Sequence, residues 1–289
     1  MEKVTIVKER RIPTSGEVYV EVGETVTPDT LIAKGMVPSR EIHELRLYRN
    51  LNIDPETVKD HITKHEGDPV EKDEVVAIAR SFFRRQTRMA RSPIDGVVTD
   101  FSEKTGRMMI KGHPVPVEVY AHIPGVVQEL YDDEGARIET QGYLHHGLFG
   151  VGGETHGELA LAVESGDTPL TSSEIKQEHN GKILVGGSVV TLDALREAVK
   201  QGVKGVIVGG IDQKDLTYFL GYEIGVGVTG GEDVGLTLIL TEGFGVNPID
   251  DDLYGFFLEH AGGLACIDGT THIRSRSRRP EIIFPTLSL

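Results

Sequence analysis

The chain has 289 residues, one cysteine, no tryptophan and a formal net charge of −15. A single thiol excludes an intrachain disulfide and a cysteine-based metal site, and a chain of this length buries enough surface to fold without either. The acid excess runs through both halves, with 20 basic against 28 acidic side chains in residues 1–165 and 10 against 17 in residues 166–289. That surface repels polyphosphate and argues against nucleic acid as a general partner. The opening "MEKVTIVKERR" has no apolar core, and no apolar run reaches the ~18 residues of a membrane span. A cytoplasmic protein with no membrane insertion is expected, and its 35 glycines predict tight turns and short strands.

Two stretches near the N-terminus align without gaps, "GETVTPDTLIA" from Gly23 and "GDPVEKDEVVA" from Gly67. Each carries Gly, an acid, a valine three residues after the glycine, two aliphatics and an alanine. Upstream of the first lies "PTSGEV" and downstream of the second "SPIDGVV", which share Pro-x-x-Gly-x-Val; "IPGVVQEL" from Ile123 is a third variant. Glycine supplies the positive φ of tight turns and valine fills a half-buried pleat, so the pattern predicts short strands in two quasi-symmetric halves of a small β-barrel.

On these motifs, residues 1–40 and 66–165 resemble a barrel-sandwich hybrid, the fold of biotinyl and lipoyl carrier domains, and in particular its version in the C subunit of Rnf-type electron-transport complexes. The resemblance implies a hairpin bearing an acceptor lysine. Here the hairpin reads "RSFFRRQTRMAR", with arginines and no lysine. No lipoyl or biotin cofactor is therefore expected, and Lys104, in the turn "SEKTG", is the other hairpin-tip amine. The cysteine clusters of iron–sulfur centres are missing too, so redox function is not carried over.

The hairpin has two readings. Either Phe82 and Phe83 pack inward and the arginines are solvated, or Phe82, Phe83, Arg84, Arg85 and Arg88 form a basic-aromatic contact for an acidic partner, since Arg and aromatic side chains are common interface anchors. The insert at residues 39–65 is predicted helical. "SREIHELRLYRNL" has Ser39 as a cap, and "IDPETVKDHI" has Asp54 as a cap and Pro55 at the first helical position. His43, His61 and His65 are expected at the surface.

"GYLHHGLFGVGGETHGELALAV", from Gly142, concentrates His145, His146, Glu154, His156 and Glu158. The spacing fits no metal template, and adjacent histidines in a strand point to opposite faces, which leaves His145 and His156 as weak metal candidates. Glu154 and His156 alternate along a strand, so they would share a face as a carboxylate–imidazole pair.

Past a polar stretch at residues 166–180, read as a linker, "KILVGG", the helix "TLDALREAVKQG" and "VKGVIVGG" form a β-α-β unit with parallel strands. The helix is capped by Thr191, stopped by Gly202 and faced by Leu192, Leu195 and Val199. A helix in "DQKDLTYFLG", a strand in "GLTLILTEGFG", a helix in "NPIDDDLYGFFLEHAGG" and a strand in "LACIDG" complete it. Ligands in such sheets bind past the carboxyl ends of the strands, here at Gly209, Gly210, Thr241, Glu242 and Gly243, where tight turns are the alternative reading. In the tail, Arg274, Arg276 and Arg278 alternate as an anion clamp or as neutralisation of the acidic surface, and "PEIIFP" reads as an edge strand. Cys266 reads as a buried small hydrophobe.

The sequence thus predicts a two-domain α+β protein: a β-rich domain at residues 1–165 with a helical insert at 39–65, a linker, and a small α/β domain with a mainly parallel sheet at residues 181–289. The expected role is a non-catalytic interaction or scaffold protein, an accessory subunit of a larger enzyme assembly, with a protein partner or a second copy of itself. The alternative is an enzyme or small-molecule-binding protein with its site at the domain interface.

Overall fold

The computed structural model describes residues 1–81, 86–222, 234–271 and 278–286. It is a strand-rich α+β structure with a mainly β N-terminal part and one large mixed sheet. The chain opens with β1 (Val4–Arg11), β2 (Gly16–Val18), β3 (Thr25–Val26), β4 (Leu31–Val37) and β5 (Ile42–Arg46). A five-residue helix α1 (Leu47–Leu51) and a 3-10 helix at Pro55–His61 follow. Next come β6 (Pro69–Val70), β7 (Val75–Ser81), β8 (Gln86–Arg91), β9 (Gly96–Ser102), β10 (Arg107–Gly112) and β11 (Val115–Tyr120). The longer strands β12 (Gly125–Tyr131) and β13 (Gly135–His146) precede β14 (Phe149–Val151), β15 (Glu154–Leu161) and β16 (Ile183–Val185). The remainder is α2 (Leu192–Gln201), β17 (Gly205–Ile211), α3 (Gln213–Leu220), β18 (Thr237–Phe244), α4 (Asp251–Glu259), β19 (Leu264–Asp268) and β20 (Glu281–Pro285).

Two compact units result. One comprises residues 1–11, 17–33 and 119–289, and the other residues 12–16 and 34–118. The expected boundary at residues 166–180 does not coincide with this division. That stretch is polar because its side chains close its own turns: Thr171 and Ser173 hydroxyls donate to Glu174, and Ser165 donates to Asp167. Its backbone is nonetheless docked, with Leu170 and Ile175 buried in the core and Leu170 N–H bonded to Val189 O at 2.7 Å.

In the larger unit, β15, β16, β17 and β18 run parallel, with β14 antiparallel at the edge beside β18. The sheet then continues antiparallel from β15 through β19, β20, β13 and β12 to β3, with β1 also paired to β13. The α/β part is as read from the sequence in its element order. Thr191 accepts a bond from Ala194 N at the start of α2, and Gly202 ends that helix at φ 74°. Its buried stripe is Ala194, Leu195 and Ala198, while Leu192 is half-buried and Val199 exposed. The expected edge strand, β20, is interior. It lies between β19 and β13, with Ile282, Ile283 and Phe284 buried and its prolines confined to the ends. One core packs the helices onto the parallel strands, and a second, including Ile6, Val26, Ile32, Ile123, Ile138, Cys266 and Ile283, covers the inner face of the antiparallel part.

The smaller unit packs the sheet β5-β10-β9-β6 and the hairpin β7–β8 around Leu47, Leu51, Val58, Val76, Met108 and Ile110. The insert departs from its helical reading. Ile42–Arg46 is a strand, because it pairs with β10, with Leu45 opposite Met108, and Ser39 therefore caps no helix. Asp54 and Pro55 start a 3-10 helix rather than an α-helix, with one buried residue, Val58. His43 and His65 face acids at the surface, while His61 is half-buried with Nδ1 at 3.1 Å from Ile78 O.

The repeat read from the sequence has a structural counterpart, with one copy in each unit. Gly23 N–H donates to Val127 O and Gly67 N–H to Val98 O, both at 2.8 Å, and both glycines take positive φ. Glu24 and Asp68 each accept from the backbone three residues earlier, and Thr30 and Glu74 side chains do the same.

Candidate functional site

The hairpin comes first because the sequence marks it. β7 and β8 pair in register from Ala77–Ala90 to Ser81–Gln86. Ala77, Ala79 and Ala90 are buried, which seats one face of the hairpin, while Arg80, Thr87, Arg88, Met89 and Arg91 are exposed. Arg80 and Arg88 are exposed and, like Arg40, Arg49, Arg91, Arg137 and Arg279, have no ion-pair partner among the described residues, whereas Arg10, Arg11, Arg46, Arg107, Arg196 and Arg278 do. Phe82, Phe83, Arg84 and Arg85 lie outside the described residues. Lys104 is exposed in the turn between β9 and β10.

The second site is assembled by the antiparallel part of the larger unit. Glu154 on β15 stands opposite Asp268 on β19, and Asp268 opposite Glu281 on β20. Residues opposite one another in a sheet share a face, so three carboxylates line up across three strands on the inner face, beside Cys266 and Ile283. Such a row repels itself, and cations answer it. Arg10 makes two bonds of 2.6 Å to the Glu154 carboxylate and donates from Nε to Tyr120 O at 2.7 Å. Lys8 binds Glu281, and Arg278 reaches Asp268 at 2.8 Å and Glu154 at 3.9 Å. Arg10, Lys8 and Asp268 are largely or fully buried. Burial works to raise the Glu154 pKa, but hydrogen bonds from Arg10 and the nearby positive charges outweigh it and hold the group at about 2.

His122 lies among these charges and is the least comfortable residue of the set. It is 4% exposed, and Nε2 has no hydrogen-bond partner among the described residues. Its φ is +67°, in the left-handed region that a non-glycine residue occupies at a cost of roughly 1–2 kcal/mol. A buried unpartnered polar atom costs about 1–3 kcal/mol more. Burial pushes the imidazole down to about 4, against Glu154 and with Arg10 and Lys8, so it is neutral at pH 7.

Glu154 and His156 share the inner face, as their spacing predicted, but each is held by a different partner. Glu154 belongs to Arg10, and His156 Nε2 lies 3.2 Å from Asp29. His145 and His146 fall on opposite faces, His146 opposite Glu281 and His145 half-buried, where burial lowers its pKa against the influence of Glu242 and Asp250. Among the described residues no three His, Cys, Asp or Glu side chains form a metal-binding group. Arg278 is paired with Asp268, and Arg274 and Arg276 lie outside the described residues. Burial raises the Cys266 thiol to about 12, which keeps it protonated.

The strand-end loops are filled by the chain itself. Gly209 donates its N–H to Gly187 O, and a Cβ there would lie 1.8 Å from Asn247 O. One on Gly210 would lie 2.2 Å from Gly245 O. Thr241 is buried with its hydroxyl 3.5 Å from Val208 O, Glu242 is exposed, and Gly243 turns the chain at φ +115° beside Leu148. Backbone contact requires glycine at 209 and 210, and the positive φ favours it at 243.

Sequence reasoning missed Lys8, Arg10, His122 and Asp268. A signal was present in "VTIVKERR": if Ile6 faces a core, strand alternation turns Lys8 and Arg10 toward it too. No helix among the described residues is long and apolar enough to cross a membrane. Comparison with protein-family models, with curated proteins and with solved structures finds no match to the chain.

Proposed function

We propose that the chain is a non-catalytic interaction protein, an accessory subunit of a larger enzyme assembly, and that the β7–β8 hairpin is its contact surface for an acidic protein partner. The observation that carries this reading is the exposure of Arg80, Arg88 and Arg91 beside exposed Met89, in a stretch from Arg80 to Arg91 that contains no acid, with no ion pair to these arginines among the described residues. On a chain of net charge −15, such a patch steers an acidic surface to one place and one orientation. The barrel-sandwich resemblance fits the reading, since a carrier-like scaffold with an arginine-rich hairpin in place of the acceptor lysine retains a hairpin for docking.

The test is affinity isolation of the full chain from its own host, with the partner identified by cross-links to the hairpin. Arg80→Glu with Arg88→Glu should weaken the complex by about 100-fold or more, mostly through slower association at low salt. Undiminished capture by the double variant removes the hairpin from the argument. Capture of nucleic acid in place of a protein overturns the choice of partner.

A further inference from the structure

We propose that Asn180 is a self-modification site, an asparagine that converts to aspartate and isoaspartate when the C-terminal end of α2 opens. This site is separate from the hairpin. Of the four asparagines, Asn50, Asn52 and Asn247 precede Leu, Ile and Pro, and Asn180 alone precedes glycine. No side chain hinders the Gly181 nitrogen, and nothing lies within 4 Å of the place a Cβ would occupy there. Asn180 is exposed, so water and base reach it. The step needs no co-reactant but water. The Gly181 nitrogen gives up its proton and attacks Asn180 Cγ, the Cγ–Nδ2 bond breaks, and ammonia leaves with the proton. Water then opens the cyclic imide, at Cγ to give aspartate or at the backbone carbonyl carbon to give isoaspartate.

The fold holds this reaction closed with two bonds to the end of one helix. Gly181 N–H donates to Gly202 O at 2.8 Å, and Asn180 Nδ2 donates to Gln201 O at 2.9 Å. Asn180 ψ is 129°, which turns the Gly181 nitrogen away from Cγ. Gly202 is the left-handed stop of α2, and a Cβ there would lie 2.4 Å from Asn180 Nδ2, so the clamp closes against a bare glycine. Both acceptors are consecutive carbonyls at the helix end. One fraying event therefore frees the nucleophile and the leaving group together, and helix ends open more readily than the core. Conversion runs one way. It replaces an amide donor with a carboxylate beside the Gln201 carbonyl, at the negative end of α2, and so opposes reclosure.

The experiment incubates the full chain, folded and in urea, and follows each asparagine by peptide mass spectrometry with an isoaspartate assay. Hydrogen exchange of the Gly181 amide measures the opening separately. In the folded chain, conversion is expected at Asn180 and not at Asn50, Asn52 or Asn247. It should be slower than in urea by about tenfold or more, and by the same factor, within about threefold, as the Gly181 amide is protected from exchange. Gly202→Ala, which pushes the Asn180 amide off its carbonyl, should raise the folded-state rate about threefold or more and leave the rate in urea unchanged. Equal rates folded and in urea overturn the gate. So does slowing that departs from the Gly181 protection, a comparison that holds even if Gly202→Ala fails to fold. Conversion at another asparagine as fast as at Asn180 overturns the site, and so does a folded chain that shows none while the Gly181 amide exchanges freely.

Discussion

Acidification should destabilise the larger unit through His122 before it touches Glu154. The imidazole titrates near 6.5 when unfolded and near 4 when folded. Its folded pKa is depressed, so the folded state favours the neutral ring, and as pH falls below 6.5 the unfolded chain takes up the proton first. The stabilising preference for pH above 6.5 is therefore lost progressively down to about 4. One pKa unit corresponds to about 1.4 kcal/mol, so the loss between pH 6.5 and 4.5 should be roughly 2–3 kcal/mol. Glu154 is depressed from 4.5 to about 2 and contributes stability that is lost only below pH 4.5, outside that window. His145 and His179 are also lowered by burial and add to the slope, so the comparison must be with a variant. His122→Asn suits, because asparagine accepts a left-handed φ and does not titrate. Cys266, the single thiol and fully buried in this unit, supplies the assay. Its labelling in urea by a disulfide reagent active in acid reads the opening of this core alone. The wild-type chain should lose about 2–3 kcal/mol more than His122→Asn between pH 6.5 and 4.5. Parallel pH profiles would refute the burial argument for His122.

Two further outcomes follow from packing. Glu154→Gln leaves Arg10 buried without its anion and should cost up to about 3 kcal/mol by the same labelling assay; pairing it with Arg10→Met should recover much of that loss, and no recovery would show that the two bonds of 2.6 Å do not couple the residues. Gly209→Ala drives a methyl against the Asn247 carbonyl and should lower stability by about 1–3 kcal/mol in a thermal melt, whereas an unchanged melting temperature would mean that the loop yields freely.

The elements legible in sequence were those whose signals are local. The cap at Thr191, the stop at Gly202 and the parallel pair β16–β17 follow from side-chain chemistry a few residues apart. The strand at Ile42–Arg46 was hidden because its identity is decided by β10, distant in sequence, and "IHELR" satisfies either pattern. β20 read as an edge because prolines flank it, yet Pro285 sits at the strand's last position, where the ladder loses little. At the site, the spacing of Glu154 and His156 disclosed their common face, but their partners Arg10 and Asp29 come from strands and turns far upstream. His122 gave no signal of its own. Its strain is a backbone angle, visible only once the chain is placed.

The repeated turn also sets an order of assembly. Gly67 finds Val98 across about thirty residues, whereas Gly23 must wait for Val127 across about a hundred, a difference in loop-closure cost of about 1 kcal/mol. The smaller unit is continuous from residue 34 to 118 apart from a five-residue contribution at 12–16, and it is inserted into the larger one. During synthesis, β1 and β3 therefore emerge early and remain unpaired until β12 and β13 follow. In that interval Ile6 and Val26, buried in the finished fold, lack their cover, and unpaired apolar strands of this kind invite association. The charges at Lys8, Arg10 and Arg11 on β1, paired in the finished fold with Glu281, Glu154 and Glu134, are unanswered in that interval, and charges beside an apolar strand oppose its association.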